Sequence, residues 1–154
     1  MAKNRRIFCA LLGLLFTQTA CSNGVRVDYE EEFVISETAQ LENVRVLELD
    51  TNDEDNQKVL NVFRGDLKDG VYAYDENKHK TYILINANTR NYADYSFKLD
   101  KENKILILFY TTTEGSVTNK KTLFLIESKN KHPFEEIKLI NNGNDDGFLG
   151  VYTN

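Results

Sequence analysis

Three segments of this chain are apolar on both faces of an extended strand: Tyr82-Ile83-Leu84-Ile85, Ile105-Leu106-Ile107-Leu108-Phe109-Tyr110 and Leu123-Phe124-Leu125-Ile126. Side chains alternate across a strand, so a sheet with one wet face shows apolar and polar residues in turn. Tyr95-Ser96-Phe97-Lys98-Leu99-Asp100 has that wet pattern. The three apolar segments do not, and each needs cover on its second face. A helix, a second sheet and a partner protein are the candidate covers.

The rest of the chain fits a β framework. Strands are expected at residues 44–49, 71–74, 81–86, 95–99, 105–110, 122–126, 136–140 and 148–152, with polar turn material between them. Short strands separated by Asn-, Asp-, Lys- and Gly-rich turns predict antiparallel hairpins. One segment has a different period. Val59, Leu60 and Phe63 share a helical face, and acidic residues from Asp53 onward suit the positive end of a helix dipole. The spacing predicts a helix over 53–64, ended by Gly65 and Gly70. Residues 37–43 are expected to form one or two helical turns. The fold class is therefore mainly β, or β-dominated α+β: an antiparallel β-sandwich or curved sheet with one packed helix. A chain of 154 residues has room for one such domain, assigned to residues 33–154.

The first residues follow other rules. Lys3, Arg5 and Arg6 precede an apolar run of ten residues, 7–16, and then Thr17-Gln18-Thr19-Ala20. This is the pattern of an export signal over residues 1–20. Ten residues of helix span about 15 Å, half of a hydrocarbon core of about 30 Å, so the run is too short for a permanent span. Thr19-Ala20-Cys21 resembles the end of a bacterial lipobox. The resemblance implies cleavage between Ala20 and Cys21 and a lipid on the Cys21 sulfur. Gln18 stands where that pattern has an apolar residue. Residues 21–32, which include Val25, Val27, Tyr29 and Glu30-Glu31-Glu32, read as a lipid-anchored tether or an early edge strand. The expected address is the cell membrane or outer membrane, facing away from the cytoplasm, or secretion if the lipobox is not used.

Cleaved at that point, the chain keeps 16 basic and 24 acidic residues, a formal charge of −8 against −5 for the whole. Such a balance argues against nucleic acid as a partner, since phosphate contacts need a basic face. It also argues against electrostatic attachment to anionic lipid. Cys9 and Cys21 are the two cysteines. Loss of the leader leaves one, so no internal disulfide is expected and the core alone must hold the fold.

Few residues suggest chemistry. His79 and His132 are the two histidines, each beside lysines in a predicted turn. Nothing in their spacing makes them converge, and exposed loop histidine is the better reading. Asp50, Asn52, Asp53 and Asp55, and again Asn142, Asn144, Asp145 and Asp146, offer oxygen atoms to calcium, but the mid-loop glycine and distal glutamate of an EF-hand loop are missing. Solvated loops or a helix N-terminus account for them better. Tyr72, Tyr74, Tyr82, Tyr92, Tyr95 and Tyr110 suit either a binding face or ordinary sheet positions, the latter favoured. No phosphate-cradling loop, serine elbow or cysteine pair is present. No catalytic set, metal site or cofactor is expected.

The order of a helix, Gly70-Val71-Tyr72-Ala73-Tyr74, Thr81-Tyr82-Ile83-Leu84-Ile85, Tyr95-Ser96-Phe97-Lys98-Leu99 and a long apolar strand is similar to the protease-complex-inhibitor-like domain of secreted and lipid-anchored bacterial proteins. The similarity spans residues 53–140 and implies a β fold. Ala93-Asp94 replaces the family's Gly-Gly, and its proline-rich segment is absent. The functional expectation is a non-enzymatic envelope lipoprotein, held in the membrane by lipid on Cys21, that binds a protein or envelope component. The alternative is an inhibitor or immunity-type protein that blocks an exported enzyme. The address makes a direct prediction. The intact mass of the isolated protein should equal residues 21–154 plus acyl chains, and Cys21→Ser should move the protein from the detergent phase to the aqueous phase. A full-length, unacylated chain dissolved in cytosol would contradict it.

Overall fold

The computed structural model describes residues 33–34, 38–41, 43–115, 119–129 and 134–154. The leader, Ala20, Cys21, the tether and His132 lie outside these residues. Eleven strands and one helix are present among the described residues: β1 (Phe33–Val34), β2 (Thr38–Leu41), β3 (Val44–Leu49), α1 (Glu54–Leu60), β4 (Gly70–Asn77), β5 (Lys80–Ala87), β6 (Arg90–Asp100), β7 (Ile105–Glu114), β8 (Lys120–Ser128), β9 (Glu136–Asn141), β10 (Asn144–Asp146) and β11 (Gly150–Thr153). They form two sheets. One has five strands in the order β1-β6-β7-β9-β10, and the other six in the order β11-β4-β5-β8-β3-β2.

The apolar segments explain the layering. Ile83 and Ile85 of β5, with Phe124 and Ile126 of β8, pack against Phe97 and Leu99 of β6 and Leu106, Leu108 and Tyr110 of β7. This is the core between the sheets. The alternate residues Tyr82 and Leu84 of β5, with Leu123 and Leu125 of β8, point the other way and meet Leu60 and Phe63. The helical segment thus covers the outer face of the six-stranded sheet. Both faces of β5 and β8 are closed by the chain itself. The fold is the β-rich sandwich with one packed helix that the pattern predicts.

Local chemistry sets the helix. Asp53 is the N-cap: its carboxylate accepts from the backbone N–H of Asp55 at 2.9 Å and of Asn56 at 3.3 Å. Glu54 and Asp55 occupy the first turn and Lys58 the last. The helix is shorter than the predicted 53–64 and is capped at Asn61. The chain continues in tighter i→i+3 bonds, Val62 N–H to Val59 and Phe63 N–H to Leu60. That tightening brings Phe63 edge-on to Tyr74 and Tyr152, with ring centroids 6.4 and 5.4 Å away.

Other expectations are corrected. Residues 38–41 are a strand, β2, where helical turns were expected; it pairs antiparallel with β3, from Thr38 opposite Leu47 to Leu41 opposite Val44. Pairing along an open sheet edge overrides a weak local preference. The sheets are mixed rather than antiparallel throughout. β9 runs parallel to β7, and β11 parallel to β4. Residues 144–146 of the expected tail loop form β10 against β9. Near the middle of β6 a register shift falls between Ala93 and Ser96. Asp94 there has φ 53°, the left-handed region that glycine favours and aspartate tolerates. The bulge lets Tyr92 and Tyr95 both pack against the core.

Phe124 lies in the core between the sheets, fully buried and edge-on to Tyr95 and Phe97, each 5.3 Å between centroids. Phe124→Ala should lower stability by about 3–5 kcal/mol in urea unfolding, with an unchanged slope. A loss under about 1 kcal/mol would mean that the two sheets do not close on this ring.

Candidate binding cleft

The β5–β6 link spans two residues, so β5 ends and β6 begins at one end of the sandwich. The opposite end collects the β4–β5 turn, the β6–β7 turn and the start of β9. His79 stands in the β4–β5 turn, placed by two contacts. Its N–H donates to the Asn77 side-chain oxygen at 2.9 Å, and its carbonyl accepts from Ser128 N–H at 2.9 Å. Its ring Nδ1 lies 3.2 Å from the Ser128 carbonyl oxygen.

Two hollows flank this histidine. One, of about 380 Å³, is bordered by Asp75, Lys78, Thr81, Ile126, Phe134 and Asn154. The other, of about 270 Å³, is bordered by Asn43, Arg45, Lys80, Glu127 and Lys129. Glu127 lies between two cations, Arg45 at 3.8 Å and Lys80 at 4.0 Å. The β5–β8 register makes this arrangement by setting Lys80 opposite Glu127. Asp75 accepts from the Thr81 hydroxyl at 2.7 Å. Strand alternation sets the two hollows on opposite faces of the six-stranded sheet: Lys80 and Glu127 share the face of Tyr82 and Leu125, whereas Thr81 and Ile126 share the inner face of Ile83 and Phe124. The second hollow is lined mainly by charged groups, and the first sets the ammonium, carboxylate and amide groups of Lys78, Asp75 and Asn154 beside Ile126 and Phe134. The cleft can hold a ligand of mixed polarity. Its contacts do not build a nucleophile–base pair: the His79 ring faces a backbone carbonyl, and the Asp75 carboxylate faces a threonine hydroxyl.

The remaining chemically suggestive groups serve the fold. Asp50 accepts from Asn52, and Asp53 caps the helix. At the far end, Asn142 bridges to Thr112, and Asp145 pairs with Lys138 at 2.9 Å. Asp146 accepts from the Tyr110 hydroxyl at 2.6 Å. Desolvation pushes the Asp146 carboxyl up, but hydrogen bonds from Tyr110, Gly147 and Asn141 and the charge of Arg90 hold it below the usual range. Among the described residues no group of three or more His, Cys, Asp or Glu side chains is placed to hold a metal. Tyr72, Tyr74 and Tyr82 are buried under the helical segment, Tyr92 and Tyr110 between the sheets, and Tyr95 packs against that second core, so ordinary sheet positions explain all six. Burial pushes the Tyr95 hydroxyl up to about 12. No helix of the described residues is long and apolar enough to cross a membrane.

Sequence reasoning singled out His79 but not Arg45, Lys80, Glu127 or Phe134 beside it. These residues come from four separate segments, and only strand register brings them together. Set against protein-family models, curated proteins and solved structures, the chain matches none of them.

Asp69 is the polar lock of the end opposite the cleft. Its carboxylate accepts from the N–H groups of Asn88, Thr89 and Arg90 at 2.5, 2.8 and 2.9 Å, and from the Thr89 hydroxyl at 2.6 Å. Partial burial pushes its pKa up, but these four bonds outweigh it and leave the group below the usual carboxylate value. A lowered folded pKa contributes stability above the unfolded value, lost as pH falls through the folded one. Asp69→Asn should therefore cost about 1–3 kcal/mol at pH 7, and its difference from the parent should shrink as pH falls below about 4. Urea titrations at pH 7 and pH 3 check this. An equal difference at both would show that the charge on Asp69 is not what holds the turn.

Proposed function

We propose that this chain is an exported, lipid-anchored and non-enzymatic binding domain of the cell envelope, and that it grips a protein or envelope component at the cleft around His79. One observation carries the reading. Two hollows, one on each face of the six-stranded sheet, meet at a histidine whose ring is directed to a backbone carbonyl; one sets charged and amide groups beside Ile126 and Phe134, and the other is lined by Arg45, Lys80 and Glu127. Binding sites are concave and mix apolar walls with a few placed polar groups.

The direction of β1 supports the envelope part of the reading. β1 runs antiparallel to β6, with Phe33 opposite Phe97, close to the end of β6 at Asp100. The chain thus enters the domain from the cleft end. A lipid on Cys21, only twelve residues before Phe33, would hold that end toward the membrane. Several acyl chains, at about 0.8 kcal/mol per buried methylene, make a firm anchor.

A photo-crosslinking residue in place of Lys78 should give a discrete adduct in intact cells, and His79→Ala with Glu127→Lys should abolish it. The same residue in place of Glu54, on the exposed side of α1, should give none. Identical adducts from both positions, or none from Lys78, would defeat the assignment of the cleft.

A further inference from the structure

A hollow of about 600 Å³ opens on the outer face of the six-stranded sheet where β5 ends, away from His79. Phe63, Asp66, Leu67, Asn86, Asn88 and Lys121 border it. Strand alternation explains its place. Tyr82 and Leu84 of β5 face the helical segment, and Asn86 follows on the same face, opposite Lys121 of β8. The helical cover ends at Phe63, and the chain turns at Gly65, which takes the left-handed φ of 92° that glycine allows. Polar residues begin where the cover stops.

Asn86 is the informative residue. It is 3% exposed, with β4 on one side and β8 on the other. Its side-chain nitrogen donates to the Leu67 and Lys68 carbonyls at 3.0 and 3.1 Å. Carbonyls only accept, so these bonds fix which end of the amide is nitrogen. The side-chain nitrogen of Asn88 donates to the same Leu67 carbonyl at 3.0 Å. Both nitrogens are spent on the loop. The Asn86 oxygen has no hydrogen-bond partner among the described residues. Sealed from solvent it would be an orphaned acceptor, and the described residues contain none, so it opens on the hollow. Anchoring the loop makes no use of that oxygen.

We propose that this hollow binds a neutral saccharide, such as a stretch of a glycan chain. The groups present select that chemistry. The oxygens of Asn86 and Asn88 and the Asp66 carboxylate accept from hydroxyls, and the Lys121 ammonium donates to a hydroxyl or ring oxygen. Phe63 and Leu67 offer apolar surface to C–H groups. One carboxylate and one ammonium cancel, so the complement carries no net charge. An anion would meet three acceptors, and a hard cation would meet the ammonium. The volume falls within the roughly 300–1,000 Å³ of small-molecule sites. The hollow shares no residue with the cleft around His79, so the two assignments stand or fall separately.

Amide NMR spectra of the protein as isolated from cells test this, titrated with tetrasaccharides of glucose, mannose, galactose and N-acetylglucosamine. At least one should shift, saturably, the side-chain amides of Asn86 and Asn88 and the backbone amides of Leu67 and Lys121. Asp66 and Lys121 are exposed and carry no contact of the fold, so Asp66→Ala with Lys121→Ala should leave the thermal midpoint nearly unchanged. The same pair should weaken binding about tenfold or more. Glu127→Lys, in the cleft, should leave the affinity as it was. No saturable shift from any of the four, or an affinity indifferent to the paired substitution, would overturn the proposal. Shifts of these amides by calcium chloride or sodium phosphate, with none by saccharide, would assign the hollow to an ion instead.

Discussion

Everything in this domain is arranged around two adjacent strands that cannot tolerate water on either face. β5 and β8 lie side by side in the six-stranded sheet, with Ile83 opposite Phe124 and Leu84 opposite Leu123, and all four are fully buried. Ile83 and Phe124 belong to the core between the sheets, Leu84 and Leu123 to the core under the helix. Burying a large apolar side chain contributes about 1.5–3 kcal/mol, so a strand pair buried on both faces concentrates stabilisation in few residues. The five-stranded sheet and the α1 segment follow as the two layers this pair requires.

Polar groups close turns at both ends of the sandwich. At one end of the sandwich, carboxylates close turns: Asp69 gathers the β5–β6 link, and Asp146 fixes Tyr110 to the β10 hairpin. At the other end Asp100 closes the β6–β7 turn and Lys104 pairs with Glu135 at 2.7 Å, while around His79 the ion pairs of Glu127, at 3.8 and 4.0 Å, are long. Long, partly exposed pairs contribute little to stability, so these groups can exchange partners at small cost. These exchangeable groups, rather than any single residue, are what the proposed contact around His79 would draw on. The chain enters β1 at this same end.

Much of the fold was legible in the sequence because burial leaves a periodic trace. Leu123-Phe124-Leu125-Ile126 announced a strand covered on both sides, and Val59, Leu60 and Phe63 announced the element that covers one of them. The errors fall where the determining contact is distant in sequence. β2 is a strand because β3 offers it an edge, and β9 is parallel to β7 because the chain returns by a long connection; neither cause is written in residues 38–41 or 136–141. The cleft was half legible for the same reason. His79 could be seen in its turn, but the proximity of Lys80 and Arg45 to Glu127 is a property of strand register. The outer face of β7 was legible as a demand: Ile105, Ile107 and Phe109 call for a cover without naming it.

The central claim is that the β5–β8 pair is the innermost element, shielded by a layer on each side. Native-state hydrogen exchange tests it most directly, because amides of the most shielded strands open only with global unfolding. The amides of Ile83, Leu84, Leu123 and Phe124 should be the slowest to exchange, at the free energy of global unfolding, with those of β2, β10 and β11 far faster. Exchange of β5 and β8 through a local opening, while β6 and β7 stay protected, would show that the helix-covered sheet is not the centre of the fold.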